Sequence, residues 1–175
     1  MFSLAEPGNI YTRINNPTNA VLEERLAALE GGIAAVATAS GTSAIATTLL
    51  TLLKTGDHIV ASSSLYGGSY NLLNVTLPRH GITTTFVNPS DPENFKKASQ
   101  ENTRAFFVES LGNPKLDVLD IEAISKEAKA HKVPFIVDNT VATPYLLNPI
   151  EYGANIVIHS LTKYINGNGT ALGMP

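Results

Sequence analysis

From about residue 58 to residue 158 the chain alternates short, almost uninterrupted apolar runs with longer stretches of helical periodicity, and few folds accept that pattern. A run with no polar alternation suits a strand covered on both faces, and strands of that kind belong to a mainly parallel sheet with helices packed on either side. The spacing predicts strands over 34–38, 58–61, 83–87, 105–108, 135–137 and 156–158. It predicts helices over 19–30, where Val21, Leu22, Leu26 and Leu29 form a stripe, and over 42–54, which Gly56 follows as a stop signal. Further helices are expected over 68–77 and 121–131. The fold class is therefore α/β.

Bulk properties narrow the function. A length of 175 residues with 43% hydrophobic content suits one domain with a real core. The formal charge of -3 and the scattered 12 basic residues give no footprint for nucleic acid or for an anionic membrane. With no cysteine, disulfides, thiolate metal sites and thiol nucleophiles are excluded, and any sulfur chemistry has to come from a substrate. His58, His80 and His131 lack metal-ligand spacing, so no metal site is expected. The apolar stretch 45–53 is short and interrupted by threonines, and the N-terminus has no basic-then-apolar leader, so a cytoplasmic protein is the expectation. Both ends look cut: the chain enters almost directly on a Tyr-Thr-Arg segment and stops at Gly173-Met174-Pro175.

Six local motifs carry chemistry. Ser160-Leu161-Thr162-Lys163-Tyr164 follows the last expected strand, where a lysine can point into the crevice beyond the strand ends. A lysine partly desolvated there suits Schiff-base formation, with Ser160 and Thr162 as phosphate-binding hydroxyls; a solvated surface lysine is the alternative. In 135–140 an apolar strand ends in Asp138, a carboxylate that could keep a pyridine nitrogen protonated or could simply cap the next turn. Ser40, Gly41 and Thr42 open a helix whose free N–H groups can hold phosphate, and a plain N-cap explains the same residues.

Tyr66-Gly67-Gly68 offers a phenol that could stack on a planar cofactor and assist proton transfer, or a tight turn with a half-buried tyrosine. Asn113-Pro114 follows Glu109 and could hydrogen-bond a phenolic oxygen, although Asn-Pro is also a common turn. Tyr11 and Arg13 stand in a segment expected to be extended, where arginine suits phosphate and fraying is the alternative. His159 is read as a core histidine with no role.

In this order the six motifs resemble the Cys/Met-metabolism family of pyridoxal-phosphate enzymes, over nearly the whole chain. That family includes cystathionine synthases and lyases, methionine γ-lyase and O-acetylhomoserine sulfhydrylase. The resemblance implies the large cofactor-binding domain of aspartate-aminotransferase-like, fold type I enzymes. Residues 1–18 would be an N-terminal segment reaching a neighbouring subunit, 19–175 a partial cofactor domain, and the C-terminal substrate domain would be absent. Lys163 would be the Schiff-base lysine, Asp138 the partner of the pyridine nitrogen, Asn113 the partner of the phenolic oxygen, and Tyr66 the stacking ring.

Ser40, Gly41, Thr42, Ser160 and Thr162 would hold the phosphate, and Tyr11 and Arg13 would serve the neighbouring protomer's site. That implies a homo-oligomer, a dimer at least and usually a dimer of dimers. Thr42 and Ser43 stand where the family commonly has methionine and alanine. The phrases 6–13 and 166–170 look most like O-acetylhomoserine sulfhydrylases, so the resemblance implies γ-replacement on O-acetyl-L-homoserine with sulfide or methanethiol, incomplete in this chain alone. Cystathionine γ-synthase, methionine γ-lyase and a non-catalytic α/β module are the alternatives. A Rossmann dinucleotide binder is disfavoured because no G-x-G-x-x-G follows the first strand.

Overall fold

A computed structural model describes residues 8–170, so the start of the phrase 6–13 and the terminal Gly173-Met174-Pro175 lie outside the described residues. Five strands form one parallel sheet: β1 (His58–Ser62), β2 (Thr83–Val87), β3 (Thr103–Glu109), β4 (Phe135–Asp138) and β5 (Ile156–Ile158). Their order is β2-β1-β3-β4-β5, so the winding reverses between β1 and β3, and ligands of such sheets bind beyond the strand ends at that reversal.

Alternation within each strand divides the core. Ile59, Ala61, Ala105, Phe107, Ile136 and Ile158 face α2 (Gly41–Leu52) and the helical stretch that begins with α3 (Gly67–Asn71). Val60, Phe106, Val108, Phe135 and Val137 face α4 (Glu93–Ala98) and α5 (Ile121–Ala130). Both faces are thus covered, which is why the strand sequences read as continuous apolar runs.

The expected helix over 68–77 is real but composite. After α3 the chain widens into a π-turn over Leu72–Thr76 and tightens into a 3-10 turn over Leu77–His80, with Gly81 closing it in left-handed geometry at φ 73. Pro78 lacks the N–H that a continued α-helix would use, which accounts for the change of pitch near that end. Strands 83–87 and 156–158 match their expected limits, and the others extend by one to three residues.

The expected strand over 34–38 does not form. A strand exists only with a neighbour's ladder to bond, and among the described residues the sheet runs from β2 to β5 without it. The Ala37 amide instead donates to Glu23 Oε1 at 2.7 Å, while Ile33 and Val36 stay exposed.

Residues 11–15 also depart from the extended path expected of them: the amides of Ile14 and Asn15 return to the Tyr11 carbonyl at 2.8 and 3.0 Å. The turn feeds α1 (Pro17–Glu30), whose cap is Asn16; its side-chain oxygen accepts from the amides of Thr18 and Asn19 at 2.9 and 3.3 Å. Pro17 at the first helical position wastes no donor. Asn16→Ala is expected to lower stability by about 1 kcal/mol, while Asn16→Asp stays near the original; urea unfolding of the three chains checks this.

Candidate active site

The parallel sheet brings the ends of β1, β3, β4 and β5 to one edge, and most of the sequence-derived candidates follow those ends. Asp138 is the last residue of β4 and pairs in register with Glu109 at the end of β3 and with Ile158 of β5. Thr140 folds back on it, donating its amide at 3.0 Å and its hydroxyl at 2.5 Å to Asp138 Oδ1. The same hydroxyl oxygen accepts the Ser160 amide at 2.8 Å. Asp138 and the Ser160–Lys163 segment are therefore joined through one threonine.

Burial pushes the Asp138 carboxyl above its ordinary range; the two Thr140 hydrogen bonds and the positive charge of His159 oppose that push. Its surface remains partly open, which leaves one face of the carboxyl available to a ligand.

Lys163 is exposed, not partly desolvated as the sequence suggested. The cause is topological: β5 is an edge strand among the described residues, so the turn after it has protein on one side. That turn is anchored by buried Leu161, whose carbonyl accepts from the Asn166 amide at 3.1 Å. Thr162 and Ser160 flank it, both half-buried.

At the reversal point, the Tyr66 amide donates to Glu109 Oε1 at 2.7 Å. The Tyr66 ring lies over Gly68, where a Cβ would come within 2.5 Å of ring atom Cε1, so the glycine is what admits the ring. The phenol is about half exposed, open to stacking. Ser40 accepts the Ser43 amide at 3.1 Å as an N-cap, and Gly41 and Thr42 follow it at the start of α2, which packs against α3 and β5. Asn113 is half-buried in the excursion after β3, closed by a Gly112 amide bond to the Asp117 carbonyl at 2.9 Å. Tyr11 and Arg13 are exposed, with the guanidinium carbon 5.5 Å from the phenol centroid.

Glu109 and Glu30 were missed by sequence reasoning, and His159 is the core residue it expected. Glu109 is buried at the end of β3, and burial pushes it up to about 8, the amide bond from Tyr66 opposing and the Asp138 charge adding to the rise. The signal for it was present: 105–109 repeats the pattern of 135–138, an apolar strand closed by a carboxylate. Glu30 and His159, from α1 and the end of β5, are both buried and meet at 2.5 Å between Oε1 and Nε2. Asn139 adds its amide to Glu30 Oε1 at 3.1 Å and to the Leu147 carbonyl at 2.8 Å. His159 is thus a core residue, but one bonded beside Asp138 and not an inert one. Nothing local in the sequence ties Glu30 to His159.

Among the described residues no helix is long and apolar enough to cross a membrane, and no group of three or more potential ligands could hold a metal ion.

The model of the Cys/Met metabolism PLP-dependent enzymes matches residues 1–173. An O-acetyl-L-homoserine sulfhydrylase from Leptospira meyeri is 61% identical over 173 residues, 99% of this chain and 39% of that protein. A homocysteine synthase from Schizosaccharomyces pombe is 56% identical over 174 residues, 99% of this chain and 41% of that one. The chain therefore spans about two fifths of the length of these relatives.

Among solved structures, one of an O-acetylhomoserine (thiol)-lyase, so assigned, from Campylobacter jejuni superposes with a TM-score of 0.94 at 45% identity. It covers 99% of this chain and 42% of that one, and that protein carries a pyridoxyl-lysine monophosphate. The chain belongs to the Cys/Met-metabolism family of pyridoxal-phosphate-dependent enzymes.

Proposed function

We propose that this chain forms the cofactor-holding part of a transferase that performs γ-replacement on O-acetyl-L-homoserine, with sulfide or methanethiol as the incoming group. The observation that carries the reading is the Asp138–Thr140–Ser160 linkage, which sets a carboxylate at a strand end and ties it to the segment bearing Lys163. The names of the similar proteins support the substrate class.

The residues fit pyridoxal phosphate. Asp138 has one oxygen held by Thr140 and a partly open surface, as a partner for a pyridinium N–H requires. The N-terminus of α2, with Gly41 and Thr42, and the hydroxyls of Ser160 and Thr162 suit the phosphate, and Asn113 suits the phenolic oxygen. Bound there, the cofactor would supply an electron-withdrawing ring that lets a proton leave the substrate's α-carbon.

The remaining duties fall to the chain. Asp138 holds a proton at the ring nitrogen by its negative charge. Lys163 would supply the amine that anchors the cofactor, and as a free amine it would move protons at the substrate's α- and β-carbons. Tyr66 covers the site and assists with its phenol. Tyr11 and Arg13, both exposed, serve a neighbouring protomer in a homo-oligomer.

Joined to the remaining three fifths of a relative's length and supplied with pyridoxal phosphate, O-acetyl-L-homoserine and sulfide, the protein is expected to give homocysteine and acetate, and the chain alone neither. Release of ammonia and a 2-oxo acid in place of homocysteine would assign elimination instead.

A further inference from the structure

Glu109 is the one buried carboxyl at the strand-end edge that the proposed chemistry leaves without a task. It is 6% exposed, sits in register beside Asp138, and receives the Tyr66 amide at 2.7 Å. Tyr66 begins α3 without a side-chain cap, so this bond is what ties the start of that helix to the sheet across the reversal point. The ring of the same tyrosine is seated over Gly68.

Two adjacent buried carboxyls do not both ionise readily, and Asp138 carries the one that cofactor chemistry needs charged. We propose that Glu109 is a positioning residue: uncharged, it holds the Tyr66 amide so that the ring covers the site, and it leaves Asp138 as the single negative charge at the ends of β3 and β4. The proposal rests on the site reading above for Asp138 and Tyr66, but its test needs no cofactor.

The groups around Glu109 constrain the pH argument. Asp138 faces it from β4; α3 offers the Tyr66 amide and the Ser69 hydroxyl. From the β1 side come Ser62 and Ser64, the latter bonded to Asp117 at 2.6 Å. Beyond Asp138 lies His159 with its Glu30 partner. Burial raises Glu109 from its ordinary 4.5 to about 8. Between those values the folded chain keeps a proton that the unfolded chain has released, so stability falls as pH rises through this window.

Glu109→Gln keeps an oxygen that accepts the Tyr66 amide but has no proton to lose. Melting of the cofactor-free chain is expected to show the Gln variant gaining over the parent from pH 5 to pH 9, by a shift on the order of 10 °C. Hydrogen exchange at the Tyr66 amide is expected to be equally slow in parent and Gln variant at pH 6, and at least tenfold faster in Glu109→Ala. A Gln variant that exchanges as fast as the Ala variant would overturn the positioning role. A melting difference that stays flat between pH 5 and pH 9 would overturn the uncharged state. If the Ala variant does not fold, the Gln variant alone decides both points, since its amide is either protected or not. Neither result depends on pyridoxal phosphate, so failure here is distinct from failure of the cofactor reading.

Discussion

Lys163→Ala is expected to abolish the visible absorbance band that the purified chain acquires on mixing with pyridoxal phosphate. The band requires the cofactor's aldehyde to be joined to an amine, and the fold selects which lysine can supply it. Lys126 pairs with Glu122 at 2.8 Å on α5, and Lys96 with Glu93 at 3.5 Å on α4, both on helices remote from the strand-end edge. Lys163 follows the strand next to the one that ends in Asp138, and Ser160 of the same turn is bonded to the threonine that holds Asp138.

Because Lys163 is exposed, its removal should change stability by no more than about 0.5 kcal/mol, so the loss of the band cannot be charged to unfolding. Lys163→Arg keeps the charge but cannot join the aldehyde, and it should also lack the band. Borohydride reduction of the parent followed by peptide mapping should find the label on Lys163. A band that survives both substitutions would sink the assignment.

The parts of this site legible in the sequence are those encoded in contiguous residues. An apolar strand followed by Asp138, a lysine between hydroxyls, and a glycine at a helix start are local patterns, and each motif lies at the sheet edge or helix start expected of it. The strand limits were legible because strands covered on both faces write themselves as unbroken apolar runs. What the sequence obscured depends on partners distant along the chain. Residues 34–38 carry the composition of a strand, but strand formation also needs a neighbouring edge, which the residues themselves cannot reveal. Lys163 is open for a comparable reason: exposure is set by what packs beside β5. Glu109 was visible as a pattern, but its effect depends on lying in register with Asp138. Glu30 was the hardest to see, because a glutamate at the end of a helix ordinarily faces water.

Glu30→Ala is accordingly expected to cost about 3–5 kcal/mol, a large fraction of the roughly 5–15 kcal/mol that holds a domain of this size together. The carboxyl is 5% exposed, and its Oε1 takes both His159 Nε2 and the Asn139 amide. Removing it strands an imidazole and an amide in a site closed to water, and such unpaired groups account for most of the loss. Glu30→Gln keeps an acceptor at the same place and should cost less. Replacing the pair together, Glu30→Met with His159→Leu, removes the polar groups and fills the volume, so its cost should fall well below the sum of the single losses. Urea unfolding with an unchanged denaturant slope measures these chains together with Glu30→Met and His159→Leu alone; equal costs for the double change and the sum of those two single ones would mean that the two side chains do not act as a pair. The network also reaches the chemistry. His159 opposes the rise that burial imposes on Asp138, so any change that removes the imidazole should move that carboxyl further up. Stability and cofactor charge thus meet in one buried cluster, where α1 is fastened to the strand ends by the side chains that help keep Asp138 negative.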